Sequence, residues 1–289
     1  MVIFAPSPGS LNALATLELC RRLGVPVAGV VLRRFTLGRF RDEWRRHGPR
    51  LLRKIRRQLI LGGDEHADPA DTSLGLLVRR LDPGTRDLRR LAGAMGAPVR
   101  RVDDFGDVAG DPAVTGFRIG LFTGGGILPR PLLEALEAGV VNVHTGHLPG
   151  YRGMDGVPAA LLEGRPASVG LTAHYMTPAI DRGDVLTRLT VDPGRYPTAG
   201  ALHNALAGLM PLMLVDAALG IGSGRLSRTP QPAGGRRHYV MHPRLRALVD
   251  ECLVRRHATL GLAGPSPARR TLDAACRDLK RQAGGSRRA

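Results

Sequence analysis

Three residues that could carry out acyl-transfer chemistry lie near the middle of the chain. Asn142 and His144 flank Val143 in an apolar run, and Asp181 follows 37 residues after His144, in Ile180-Asp181-Arg182-Gly183-Asp184. On a strand, residues two apart project from the same face, so the carboxamide and the imidazole would stand side by side. An Asn there can donate a hydrogen bond to the oxyanion of a tetrahedral intermediate. A His can move a proton or, when charged, stabilise the same oxyanion. Asp181, returned by a loop between two strands, could hold the imidazole, favour its charged form, or pass a proton through water. Singly, each has a plainer reading: a turn Asn at a strand end, a packed or solvated His, a turn acid beside Gly. The ordered set is what points to acyl transfer.

These residues need a scaffold, and the chain supplies the pattern of one. Val2–Ala5 reads as a buried strand closed by Pro6-Ser7-Pro8-Gly9. Ser10 then caps a helix to about Leu23, with Leu11, Leu14 and Leu17 along one side. Val25–Leu32 reads as a second buried strand. This β-α-β opening favours a parallel sheet with a right-handed crossover. Residues 33–60 interrupt the alternation as one or two basic helices around Gly48-Pro49, and residues 61–75 read as a polar loop. A helix at about 84–95 follows, then strands at Pro98–Val102, Arg118–Phe122 and Val140–His144, with a helix at Arg130–Ala138 joining the last two. Beyond Tyr151 come a helix at Gly156–Glu163, strands at Val169–Met176 and Asp184–Val191, and a long apolar helix from Thr198 to about Leu219. A strand at His238–Met241 and a helix at Pro243–Arg255 close the ordered part. The ends of parallel strands are where open α/β sheets place ligands.

The expected architecture is therefore α/β, a mostly parallel sheet flanked by helices. Residues 1–195 form the catalytic domain with the basic helical insertion 33–60. Residues 196–260 form a helical C-terminal extension, and 261–289 a disordered basic tail rich in Pro, Ala, Arg and Gly. Removing the tail from about Gly264 is expected to leave the fold intact.

Composition bounds the setting. Of 289 residues, 43% are hydrophobic but only 4% aromatic, so the core must be built from Leu, Val, Ala and Ile. The apolar stretches read as too short for a transmembrane segment of ~20 residues, and no secretory leader is apparent at the N-terminus. Cys20, Cys252 and Cys276 are three and far apart, which suggests neither a disulfide framework nor a metal site. A reducing cytoplasm is the expected location. The net charge of +17 is local: residues 33–58 hold +9 and residues 269–289 hold +5. Lys54 and Lys280 are the only lysines, an Arg bias that compositional drift would also produce. The functional alternative is an anionic partner for residues 33–58: a phosphorylated substrate, an acidic carrier, RNA or a membrane surface.

The region 123–186 resembles the catalytic domain of the formyltransferases that use N10-formyltetrahydrofolate. The resemblance rests on Asn142-Val143-His144, the turn Leu148-Pro149, Tyr151-Arg152-Gly153, Gly170-Leu171-Thr172 and Asp181-Arg182-Gly183. It implies a Rossmann-like formyltransferase fold, and it implies that Asn142, His144 and Asp181 are catalytic. Asn142 and His144 would stabilise the tetrahedral intermediate formed when an amine attacks the formyl carbon, with Asp181 orienting His144 and an ordered water. The pterin ring of N10-formyltetrahydrofolate would lie beside Gly125, Gly126, Ile127 and Leu128 and the loop with Thr177, Pro178 and Ile180. A run of backbone groups without large side chains suits a flat heteroaromatic ring. His147, Tyr151 and Arg152 are the candidate contacts to the amine substrate, His147 with a solvated role as its alternative.

The chain departs from the resemblance in Thr145-Gly146-His147, in Met154-Asp155-Gly156-Val157, and in the first turn, which lacks a phosphate-cradling Gly-Ser loop. Residues 192–289 show no series of short strands of the kind expected for an appended barrel. The expected reaction is formyl transfer to a primary amine on a small molecule or a carrier. One alternative is a formyltetrahydrofolate hydrolase with the same site, though such relatives carry a regulatory domain before the first strand. The other is a binding protein on this scaffold that grips RNA or an acidic partner through residues 33–58. A homodimer is compatible with either.

Overall fold

The computed structural model describes residues 1–34, 36, 41, 72–124, 126–259 and 274–281. The expected basic insertion lies almost wholly outside these residues, as does Gly125. The first strand, β1 (Val2–Ala5), is buried at every position. That continuous apolar run suits a strand with parallel neighbours and both faces covered. It pairs in parallel with β2 (Gly29–Arg33) and β4 (Gly120–Phe122), while β3 (Val99–Val102) pairs in parallel with β2. β2 starts four residues later than the sequence suggests, after Pro26, which lacks the N–H that a ladder needs. The connecting helix α1 (Leu11–Leu23) is capped as expected: Ser10 Oγ accepts from the Ala13 amide at 3.3 Å, and Gly24 ends the helix in the left-handed conformation, φ 67°.

The seven-stranded sheet has the order β3-β2-β1-β4-β5-β7-β8. β5 (Val140–Thr145) continues the parallel series beside β4. After it the direction reverses: β7 (Gly170–Tyr175) and β8 (Val185–Thr190) are antiparallel to their neighbours. This reversal positions the site, because the turn from β7 into β8 comes back beside the first half of β5. A second, two-stranded sheet pairs β6 (Tyr151–Gly153) in parallel with β9 (Arg236–His238). β6 is not among the strands expected from the sequence, and β9 ends at His238, where the strand expected at 238–241 begins.

Helices cover the sheet on both faces. One apolar cluster gathers Ile3, Ala5, Leu14 and Leu17 with Leu206 and Leu209, and the other gathers Val2, Phe4, Phe105, Phe122 and Leu128. Alternate residues of β1 thus serve opposite cores. In the smaller core Phe105 meets Phe4 and Phe122 edge to face, with centroids at 5.7 and 6.1 Å.

The polar loop expected at 61–75 ends earlier than that reading: helix α2 (Ser73–Leu81) starts after Thr72, whose Oγ1 accepts from the Gly75 amide at 3.0 Å. Gly75, a poor helix former, disguised this start. Helices α3 (Leu88–Ala94), α4 (Pro112–Thr115), α5 (Arg130–Ala135) and α6 (Gly156–Leu162) are short connectors. The long helix α7 (Ala199–Gly222), in the expected helical C-terminal extension, is part of the larger core. It packs on α1, α2, β5 and β7, and Asn204 Oδ1 accepts from the Ser73 amide at 2.9 Å. By length and composition α7 could cross a bilayer. Here most of it is buried in the protein, which accounts for a helix apolar all round. Helix α8 (Pro243–Thr259) follows β9.

Residues 274–281 are helical, and Leu279 is 4% exposed within the larger core. The expected disorder of the tail does not hold for this stretch, because Leu279 with Ala275 and Cys276 gives it an apolar face to bury. Leu279→Ala is accordingly expected to destabilise the protein by about 2–5 kcal/mol in urea unfolding. Truncation at Gly264 is expected to cost at least as much. An unchanged unfolding midpoint in both variants would show that this helix contributes no stability.

Candidate active site

Asn142 and His144 are the third and fifth residues of β5, so their side chains rise from one face of the sheet. Asn142 sits opposite His174 on β7, and His144 sits opposite Thr172. Directly opposed residues on an antiparallel pair have adjacent side chains. Asn142 Nδ2 lies 3.5 Å from His174 Nε2, and the two histidine rings meet edge to face at 6.3 Å.

The tautomers follow from the carbonyls. His174 Nδ1 is 2.8 Å from the Tyr175 carbonyl oxygen and must donate to it. In the neutral ring Nε2 is then an acceptor, and the Asn142 amide donates to it. His144 Nε2 is 2.7 Å from the Tyr151 carbonyl oxygen and donates there, leaving Nδ1 facing Asp181 Oδ2 at 3.5 Å. Asp181 completes the cluster. Its Oδ2 accepts from the Gly153 amide at 2.7 Å, and its Oδ1 is 3.8 Å from His174 Nε2. Asp181 adopts φ 51°, the left-handed region that Asp tolerates better than most residues. Gln231 Nε2 braces that loop by donating to the carbonyls of Asp181 and Gly183 at 3.0 and 2.6 Å.

Burial pushes the His174 imidazole down from 6.5 to about 4, although Asp181 pulls it upward. The ring is therefore neutral near pH 7 and fixes the Asn142 carboxamide with its N–H side inward. The unfolded chain takes up a proton between about pH 6.5 and pH 4 that the folded chain does not. The contribution of neutral His174 is thus fully present above pH 6.5 and is lost as the pH falls to 4. Over that interval the wild type is expected to lose roughly 3 kcal/mol more stability than His174→Gln, in urea unfolding at several pH values. Equal slopes would show that His174 titrates as a free imidazole.

The structure brings Asn142, His144 and Asp181 together and adds His174, Gln231 and the Tyr151 carbonyl, none of which the sequence reading had assigned a role. The alternation of Thr172 and His174 in Gly170–Tyr175 was the available signal, but only the register of β7 on β5 gives it meaning. The three side chains expected at the amine each have a partner within the protein. Tyr151 donates its hydroxyl to Glu163 Oε2 at 2.8 Å, and its ring stacks on His238. Burial and that carboxylate push the phenol up to about 12, so it stays a neutral donor. Arg152 Nη2 donates to the Gly235 carbonyl at 2.8 Å. His147 Nε2 faces the Leu189 carbonyl at 3.3 Å, beside the Gly170 end of β7, whereas His174 lies near the other end.

Two loops flank β5. Residues 123–129 follow its neighbour β4, and 176–184 follow its other neighbour β7. Gly124 and Gly126 have φ 105° and 139°. Thr123 is tied three times: its hydroxyl and its amide donate to the Phe4 carbonyl at 2.8 and 3.0 Å, and its own carbonyl accepts from Asn12 Nδ2 at 3.1 Å. Ile127 is 78% exposed, while the Leu128 side chain is buried in the smaller core and leaves only its backbone to a ligand. Thr177, Pro178 and Ile180 are exposed, with Thr177 Oγ1 donating to the Ala179 carbonyl.

With this geometry in view, residues 123–217 match the family profile described as formyl transferase. That segment is similar to the formyl transferase family. The chain is 35% identical over 124 residues to the methionyl-tRNA formyltransferase of Aromatoleum aromaticum, covering 43% of this chain and 39% of that protein. It is 41% identical over 109 residues to the methionyl-tRNA formyltransferase of Variovorax paradoxus, covering 38% and 33%. The aligned stretch thus spans about two fifths or less of these relatives. Among solved structures, glycinamide ribonucleotide transformylase 1 from Symbiobacterium toebii superposes with a TM-score of 0.51 at 19% identity, covering 83% of this chain and 93% of that one. A 4-N formyltransferase from Francisella tularensis gives a TM-score of 0.50 at 11% identity, covering 87% of each chain. These two likenesses show the formyltransferase fold.

Proposed function

We propose that this chain is a cytoplasmic enzyme that transfers a formyl group from N10-formyltetrahydrofolate to a primary amine of a small-molecule or carrier-bound substrate. The observation that carries the reading is the convergence of Asn142, His144 and Asp181 from two elements 37 residues apart onto one face of the sheet. The loops fit the donor. Gly124 and Gly126 both have positive φ, and exposed Ile127 and Ile180 offer apolar surface on the two loops that flank β5, a combination suited to a flat ring with a polar edge.

The donor supplies an electrophilic formyl carbon. Attack by the amine puts negative charge on the formyl oxygen and positive charge on the amine nitrogen. Asn142 Nδ2 has one hydrogen directed at His174 and a second for that oxygen. His144, held at Nε2 by Tyr151, can take the amine proton at Nδ1, where Asp181 then holds the charged ring. When the oxyanion collapses to a carbonyl and the C–N bond to the folate breaks, that nitrogen takes the proton held by His144 and the amine leaves as a formamide.

The test is calorimetric titration of the protein with a stable N10-formyltetrahydrofolate analogue, repeated with His144→Ala and at two salt concentrations. Saturable, stoichiometric binding supports the donor site. No binding by a folded protein removes the enzyme reading and leaves a binding protein on this scaffold.

A further inference from the structure

We propose that Arg33 is a positioning residue for the glycine loop after β4, and through that loop for the formyl donor, so the donor half rests on the function proposed above. Arg33 ends β2, on the far side of β1 from β4. Its guanidinium is fixed on several sides. Nε donates to the Asp103 carbonyl at 3.1 Å, Nη2 donates to Asp104 Oδ2 at 2.7 Å, and the guanidinium carbon lies 5.8 Å from the centre of the Phe105 ring. Asp104 is itself held. Its Oδ1 accepts from the Gly106 amide at 3.0 Å, and Asp107 Oδ2 accepts from the Asp103 and Asp104 amides at 3.1 and 3.0 Å. The planar fork of an arginine bound this way has little freedom left.

The loop meets this fixed group at Gly126. A Cβ added there would lie 2.6 Å from Arg33 Nη1, whereas one added at Gly124 would meet nothing within 4 Å. Both glycines have positive φ, so conformation alone does not distinguish them. The loop is pinned on either side of this contact. Thr123 is bonded to Phe4 and Asn12, and Leu128 is buried beside Phe105, the ring that Arg33 overlies. Between these pins the guanidinium is the floor on which Gly126 rests, and it sets how far the Gly126 backbone can sink. The Arg33–Asp104 pair has a half-exposed carboxylate and so contributes little stability; what it supplies is loop geometry.

Two measurements on the full chain test this. In the ligand-free protein, Arg33→Gln is expected to speed amide hydrogen exchange at 124–128 and leave exchange along β5 unchanged. Titrated with the donor analogue, Arg33→Gln is expected to weaken binding ~10-fold, the scale expected when a support behind a binding element is lost. The glycines supply the control. Adding Arg33→Gln to Gly126→Ala should recover part of the affinity lost by Gly126→Ala. Adding it to Gly124→Ala should recover none. Unchanged loop exchange in Arg33→Gln, or strictly additive effects with Gly126→Ala, overturns the role of Arg33 and leaves the folate reading standing. A wild-type protein that binds no donor analogue overturns the donor half together with that reading, while the exchange measurement still decides whether Arg33 sets the loop.

Discussion

His144→Ala is expected to lower turnover at saturating substrates by at least ~100-fold, the cost of losing a proton-transfer group that also carries charge beside an oxyanion. The imidazole is buried and bridges two elements, with Nε2 on the Tyr151 carbonyl and Nδ1 facing Asp181. Removing it therefore also leaves the Tyr151 carbonyl without its donor, at about 1–3 kcal/mol of stability. His144→Gln separates the two effects, because its amide can still donate to that carbonyl but cannot take up a proton. The expected pattern is a partial recovery of thermal stability with no recovery of turnover. Asn142→Ala should show a comparable fall in turnover with little change in KM, since its contribution grows as charge develops on the formyl oxygen. A folded His144→Ala protein with near-normal turnover would overturn the assignment.

The path from sequence to this site was uneven. The β-α-β opening, the Ser10 cap, the helix from Thr198 and the strands at 169–176 and 184–191 follow from local signals: an apolar run for a buried strand and a hydroxyl at a helix start. What escaped depends on partners distant in the chain. β6 is three residues long and exists because Arg236–His238 lies beside it. α7 follows the last strand of the seven-stranded sheet, and its uniformly apolar surface is the mark of a helix enclosed on all sides. The helix at 274–281 sits in a basic, Gly- and Pro-rich context, and only the burial of Leu279 reveals its role.

The site itself divides along the same line. Asn142 and His144 were legible because a strand places i and i+2 on one face whatever the fold. Asp181 could be selected as a candidate, but its arrival beside His144 depends on β7 turning back along β5. Its neighbour His174 went unassigned for that reason. Tyr151 was expected to act through its side chain, whereas its carbonyl is the group that holds His144, and a backbone acceptor leaves no trace in residue type.

Asp181→Asn isolates the charge of the carboxylate from its shape, and turnover is expected to fall at least ~100-fold while the fold is retained. Asn tolerates the left-handed region in which Asp181 sits, so the loop has no conformational reason to move. Its carbonyl oxygen can still accept from the Gly153 amide, and its NH2 can face the His174 Nε2 acceptor now 3.8 Å from Oδ1. What it cannot do is hold a charged His144 ring at Nδ1. Asp181→Ala removes more, because Ala is strained at φ 51° and the Gly153 amide loses its acceptor. The alanine variant is therefore expected to lose stability as well as turnover, the asparagine variant turnover alone. If Asp181→Asn turned over like the wild type, Asp181 would be a brace between the 176–184 loop and β6, and the proton would have to leave His144 by another route. If both variants lost stability equally, the carboxylate charge would be holding the loop, and its part in proton transfer would need the pH profile of turnover to be separated from folding.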